Sequence, residues 1–365
     1  MRPKMNVMRL PLYEPGKSIE EVKRELGLTE VIKLASNENP FGCSPRVTEA
    51  IRVELENIYR YPDSNAVDLR LRLAEIVGIQ PNQIIFGAGS DEVILMLARA
   101  YLAEGDESIM STHSFPLYKH NSELENAVCI EIPHMDGKHD LHGMLSNINE
   151  RTKMIWICNP NNPTGTMISH SELKYFLRNT PPHVLVVVDE AYSEYVLSKD
   201  YANGIRLLKD YSNLVLLRTF SKIYGLASMR IGYGIGHSDV IRTVNKVREP
   251  FNTNRFAQVA ALASLEDQAF VESCRWHNRE GIIQLCSEFD KMGLNYLEPH
   301  GNFILVDVQQ PAEMVFDELL KKGIIIRGGD AFEFPTHIRV TVGNTEQNNK
   351  FVRSLREVIA TLAQS

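Results

Sequence analysis

Short, largely apolar runs spaced through the first two thirds of the chain constrain its fold more than any other feature. They span 83–86, 108–111, 154–158, 185–188, 214–217 and 232–235, with helix-period stretches between them. A strand without polar alternation must be shielded from water on both faces. That is the condition of a mostly parallel sheet held between helices, so the expected class is α/β, with a large domain over 45–253. In such sheets ligands sit beyond the carboxyl ends of the strands. At 365 residues and 44% hydrophobic, the chain has enough apolar material for this unit and a second, smaller one.

The texture changes near Asn254. One long helical stretch is expected from 255 to about 292, then strands at 302–306, 324–327 and 338–342 with helices around 311–322 and 346–363. Segregation of this kind predicts a smaller α+β C-terminal domain over 254–365. Residues 1–44 read as an arm with one short amphipathic helix, opened by a capping box of Ser18 and Glu21. Its apolar face is too small to stand alone, so the arm should join the small domain.

The net charge of −7 and pI of about 5.9 argue against nucleic acid and anionic membrane as partners. Anionic ligands would need local arginines or helix N-termini. No run approaches transmembrane length, and Met1-Arg2-Pro3-Lys4 lacks the apolar stretch of a signal peptide, so a cytoplasmic location is expected. Cys43, Cys129, Cys158, Cys274 and Cys286 are scattered without ligand spacing and read as thiols of a reducing compartment. The histidines show no paired-ligand spacing, so no metal is expected.

Polar residues gather where the apolar runs end. Thr219-Phe220-Ser221-Lys222 follows 214–217, Asp189-Glu190-Ala191-Tyr192 closes 185–188, and Asn159-Pro160-Asn161-Asn162-Pro163-Thr164-Gly165 follows 154–158. An amine, a carboxylate, a phenol and an amide at strand ends suit pyridoxal 5′-phosphate. Its aldehyde needs a lysine for a Schiff base, and its pyridine nitrogen needs a carboxylate to stay protonated. Singly, each residue has a plainer reading: Lys222 a solvated charge, Asp189 a helix cap, Tyr192 a packed ring, Asn162 a turn residue. Ser221 and Arg230 could bind a phosphate, the arginine through its planar fork, and a cation there would lower the lysine's pKa. Gly87-Ala88-Gly89-Ser90-Asp91-Glu92 precedes a helix expected over 93–102, where glycines and first-turn N–H groups can meet a phosphate; a plain turn is the alternative. Phe115 could stack on a pyridine ring or simply pack. Arg339, between Ile338 and Val340, faces away from both and is either an exposed strand residue or a carboxylate clamp.

Taken together, these residues resemble the fold-type I pyridoxal-phosphate aminotransferases, class II, and within them the histidinol-phosphate aminotransferase family. The similarity rests on Lys33-Leu34-Ala35-Ser36-Asn37-Glu38-Asn39-Pro40-Phe41-Gly42, Arg60-Tyr61-Pro62-Asp63, Asn161-Asn162-Pro163-Thr164-Gly165, Asp189-Glu190-Ala191-Tyr192, Thr219-Phe220-Ser221-Lys222 with Arg230, and Arg339-Val340-Thr341-Val342-Gly343. The resemblance implies that Lys222 carries the cofactor and shuttles the proton. Asp189 would pair with the ring nitrogen, Tyr192 and Asn162 would bind the 3′-oxygen, and Phe115 would stack on the ring. Gly89, Ser90, Asp91, Thr219, Ser221 and Arg230 would surround the phosphate, with Tyr61 reaching it from the other subunit of a homodimer with shared active sites. Arg339 would hold the α-carboxylate of glutamate; Arg327 and Tyr13 are candidates for the phosphate of histidinol phosphate. Phe115 stands where many relatives carry Tyr.

The implied reaction exchanges an amino group between histidinol phosphate and 2-oxoglutarate, a step of histidine biosynthesis. An aromatic or broad-range aminotransferase on the same scaffold is the nearest alternative. A phospho-amino-acid decarboxylase would need no oxo acid, and a cofactor-sensing regulator would need a basic DNA-binding domain ahead of Ser36.

Overall fold

Seven strands form the main sheet, in the order Ile84–Gly87, Gly232–Gly236, Leu214–Thr219, Leu185–Asp189, Thr152–Cys158, Glu107–Ser111, Val128–Ile132. The computed structural model describes residues 2–12 and 16–364, residues 330 and 331 through their backbone only. All neighbouring pairs are parallel except those made by Gly232–Gly236, which runs against both its neighbours. The other six strands therefore share one direction.

The apolar runs behave as their composition demands. Val186 and Val188 sit in one hydrophobic core, with Leu214 and Leu216 beside them. Leu185 and Val187 face a separate core on the other side of the sheet, with Val215 and Leu217. Both faces are thus covered. Each such side chain, fully removed from water, contributes roughly 1.5–3 kcal/mol before the entropy of ordering is charged against it. Because the strands run together, Ser111, Cys158, Asp189 and Thr219 all end at one edge. Cys158 pairs directly with Asp189 across the ladder.

Val128–Ile132 was not apparent as a strand in the sequence. It lies at the sheet edge, half-exposed, and Glu131 interrupts its apolar pattern. The stretch from 255 is two helices, Arg255–Leu265 and Gln268–Met292, rather than one. Asp267 breaks it by accepting a hydrogen bond from Phe270 N, which caps the second helix.

A four-stranded antiparallel sheet, in the order Arg327–Gly328, His337–Thr341, Phe303–Asp307, Asn295–Tyr296, packs with the C-terminal helices around its own core. The run expected at 324–327 divides in two. Ile324–Ile325 pairs in parallel with Ile32–Lys33 of the arm, and Arg327–Gly328 pairs with His337–Thr341. Leu34 enters the core of this smaller unit, and Val22 and Ala35 pack against Leu320 and Ile325. The capping box of Ser18 and Glu21 is present and opens the helix Ile19–Leu26. Among the described residues no helix is long and apolar enough to cross a membrane.

Candidate active site

Asp189 is the last residue of the central strand Leu185–Asp189 and is 3% exposed. Its Oδ2 accepts from the Tyr118 hydroxyl at 2.8 Å and its Oδ1 from Ala191 N at 3.1 Å. Burial pushes the carboxyl up to about 7. No cationic side chain among the described residues forms a salt bridge with it. A buried carboxylate held by two neutral donors is a receptor for a cationic ligand atom.

Lys222 lies in the loop after Leu214–Thr219, half-buried, and its Nζ donates to Ser36 O at 3.2 Å. The ammonium stands 5.5 Å from the centre of the Tyr192 ring. Burial first, and then the Arg339 charge, bring its pKa down to about 8. About a tenth of the amine is therefore neutral, and nucleophilic, at pH 7, against fewer than about one in a thousand for an ordinary lysine. Gly225, at φ +69°, closes the turn behind it by donating to Lys222 O, and a Cβ there would collide with Gly42 O.

Tyr192 is buried, and burial raises its phenol above the ordinary range. Its hydroxyl oxygen accepts from Asn37 Nδ2 at 3.0 Å and from Asn162 Nδ2 at 3.4 Å. Asn162 Oδ1 accepts from Arg339 Nη1, whose guanidinium also donates to Ala35 O at 2.6 Å. Arg339 is 6% exposed, on the face of its strand opposite the core residues Ile338 and Val340, with Phe303 and Phe332 rings beside it. It is thus a buried arginine of the cleft and not an exposed strand residue.

The second group of residues meets at the start of the helix Ser90–Tyr101. Gly89 is its N-cap at φ +82°, and a Cβ there would lie 2.5 Å from Arg230 Nη2, so glycine lets the guanidinium lie against the backbone. Arg230 donates to Ser221 Oγ at 3.3 Å and to Asp91 Oδ2 at 3.2 Å. Thr219 Oγ1 accepts from Ser221 N at 3.1 Å. First-turn N–H groups, two hydroxyls and an arginine converge here, a cradle for a dianion. The Asp91 carboxylate is turned to Arg230, so an anion would meet Asp91 through its main-chain N–H.

Four expected residues stand apart from this constellation or lie outside the description. Phe115 packs edge-on against Tyr118, with ring centres 5.6 Å apart. Tyr61 is 82% exposed and stacks on Phe251 at 4.7 Å. Arg327 lies directly opposite Arg339 in the antiparallel ladder, hence on the same face. Tyr13 lies outside the described residues.

Sequence reasoning assigned no role to Tyr118, Asn37 or Thr341. Tyr118 stacks on Trp156 at 5.1 Å with rings 8° from parallel, which fixes its hydroxyl on Asp189. The legible hint was that Asn37 and Thr341 each stand inside a motif already singled out.

These residues fit pyridoxal 5′-phosphate. The carboxylate without a cation suits its pyridine nitrogen, the softened amine its aldehyde, the phenol its ring oxygen, and the helix-end cradle its phosphate.

Comparison with known proteins agrees with this reading. A family model described as aminotransferase class I and II matches residues 29–355. A histidinol-phosphate aminotransferase of Brevibacillus brevis is 52% identical over 98% of this chain and 99% of its own length. One from Anoxybacillus flavithermus is 50% identical over 98% and 97%. The crystal structure of the Sinorhizobium meliloti histidinol-phosphate aminotransferase, in complex with pyridoxal 5′-phosphate, superposes with a TM-score of 0.91 at 28% identity, covering 99% of this chain and 98% of that one.

Proposed function

The chain belongs to the class I and II aminotransferase family, and from that premise we propose that it is a pyridoxal-phosphate-dependent transaminase exchanging an amino group between histidinol phosphate and 2-oxoglutarate, with imidazole-acetol phosphate and glutamate as products. The observation that carries the substrate assignment is identity of about half, over nearly the whole chain, to proteins of that name. When bound, the cofactor supplies a carrier for the amino group and an electron sink for charge at the substrate's α-carbon.

The chain's own residues divide the remaining work. Lys222 Nζ, once it leaves Ser36 O, moves a proton at the substrate's α-carbon, and its lowered pKa lets it both take and return that proton. Asp189 holds positive charge at the pyridine nitrogen, with Tyr118 and Ala191 N fixing the direction of its carboxylate. Tyr192 and Asn162 present an O–H and an N–H to the ring oxygen. Gly89, Ser90, Asp91, Thr219, Ser221 and Arg230 hold the phosphate, and Phe115 covers the ring. Arg339 exchanges Asn162 for the α-carboxylate of glutamate. Arg327, on the same face, and Tyr13 receive the phosphate of histidinol phosphate.

We assign a homodimer with shared sites. Tyr61 is exposed and stacks on Phe251, and with Ile58 and Tyr59, also exposed, these rings and side chains offer an apolar patch to solvent. Desolvating such a patch against a second copy would bring Tyr61 to the partner's phosphate cradle. All five cysteines are thiols, which supports a cytosolic setting.

The test is single-turnover conversion of the loaded enzyme by separate amino compounds. Histidinol phosphate and glutamate should each aminate the cofactor. Preference for tyrosine or phenylalanine would replace this reading with an aromatic aminotransferase. Carbon dioxide release from phosphothreonine would replace it with a decarboxylase.

A further inference from the structure

Asn37 is a tightly held polar residue beside the cleft that the reaction scheme above leaves without a task. It is 1% exposed, and it adopts a left-handed backbone conformation at φ +54°. That region is uncommon outside glycine and persists only where the surroundings impose it. The surroundings do so here. Asn37 N donates to Thr341 Oγ1 at 2.9 Å, Thr341 Oγ1 donates to Asn37 Oδ1 at 3.1 Å, and Asn302 Nδ2 donates to Asn37 O at 2.9 Å.

These contacts leave the side-chain amide one orientation. Because Oδ1 is taken by the threonine, Nδ2 must face Tyr192, and it donates to the phenolic oxygen at 3.0 Å. A hydroxyl oxygen has two acceptor positions and one proton. Asn37 fills the first position and Asn162 the second. Asn162 is itself oriented by Arg339, through its Oδ1. The phenol can then act only as a donor. Both orienting anchors, Arg339 and Thr341, come from one strand, His337–Thr341.

We propose that Asn37 is a positioning residue that keeps the Tyr192 hydroxyl pointed as a donor into the cleft, toward the ring oxygen of the cofactor. The proposal rests on the transaminase reading. Asn37 itself touches neither cofactor nor substrate; it acts through Tyr192. When Asn162 turns to the ring oxygen, Asn37 is the donor that stays on the phenol and prevents its proton from rotating away.

The charged and titratable groups facing Tyr192 are Lys222, with Nζ 5.5 Å from the ring centre, together with Arg339, Asp189 and Cys158. None donates to the phenolic oxygen in place of Asn37.

The experiment is a pH titration of the visible absorbance of the cofactor bound at Lys222, in wild type, Asn37→Asp and Asn37→Gly. A donor at the ring oxygen stabilises its negative charge and makes the neighbouring lysine nitrogen easier to deprotonate. In Asn37→Asp the amide donor becomes an acceptor of nearly the same shape, so the phenol turns its proton to the new carboxylate. The apparent pKa of the band should rise by about one unit, the scale of one hydrogen bond to a charged group. Asn37→Gly removes the donor without a new charge and suits the left-handed backbone, so it should fold and shift the band in the same direction. A rise in both variants supports the proposal. A rise in Asn37→Asp alone would be the field of an added carboxylate and would overturn it. So would wild-type titration in both variants, even with kcat or melting temperature lowered. A wild-type protein that shows no visible band with the cofactor would overturn the transaminase reading as well.

Discussion

Replacing Asp189 by asparagine should have opposite effects on the protein with and without its cofactor. In the cofactor-free protein the carboxyl is buried without a cation, and its pKa stands at about 7 instead of 3.8. A folded-state pKa above the unfolded one favours folding fully only below the unfolded value, and that support is lost as pH rises toward the folded value. Wild type therefore loses stability between pH 4 and 7. The roughly three-unit rise, at 1.36 kcal/mol per unit, bounds the loss at about 4 kcal/mol. Asparagine does not titrate. It can keep both hydrogen bonds, with Oδ1 accepting from Ala191 N and Nδ2 donating to a Tyr118 hydroxyl turned around to accept. Thermal unfolding of the cofactor-free proteins should show a widening advantage for Asp189→Asn from pH 4 to 7, then a plateau of several degrees. The loaded enzyme should lose kcat by several decades with little change in KM, because the charge on the ring nitrogen matters most in the transition state. Parallel stability curves for the two proteins would refute the account of Asp189 as a receptor for positive charge; a loss confined to KM would make it a structural cap.

Other expectations follow from the same geometry. Arg339→Ala should impair the glutamate half-reaction more than the histidinol-phosphate half-reaction, by roughly 2–5 kcal/mol for a clamp lost from a desolvated site, and Arg327→Ala should weigh on the phosphate-bearing substrate at least as heavily. Equal losses in both half-reactions, read by single-turnover kinetics, would contradict that division. Capture of cofactor by the cofactor-free protein requires the neutral amine, so its rate should climb up to about pH 8 and then level, well below the 10.5 of an ordinary lysine. Mixing inactive Lys222→Ala and inactive Tyr61→Ala proteins should restore partial activity in heterodimers, because one hybrid site then holds both native residues. Heterodimers without rescue would count against shared sites.

Much of this structure was legible because the information is local. Val186, Val187 and Val188 cannot sit in a half-solvated strand, so they announce a doubly covered sheet, and the residues at its strand ends follow from the chain direction. Asp189, Tyr192 and Lys222 are read as a set because each directly follows such a run. The edge strand Val128–Ile132 escaped because one exposed face admits Glu131, and that pattern does not differ from a loop. The break at Asp267 escaped because the apolar period continues through it. Asn37 and Thr341 are 304 residues apart, and Tyr118 and Asp189 are 71 apart. No local pattern reports either pair: the first forms only when the arm packs on the smaller sheet, the second only when the helix Leu117–Leu124 packs on the large one.

The most direct measurement is to load the protein with pyridoxal 5′-phosphate, reduce it with borohydride and map the labelled peptide by mass spectrometry. Lys222 should carry the label, and Lys222→Ala should remain folded and take none. Label on any other lysine, or none at all on a protein that still transaminates, would contradict the site described here.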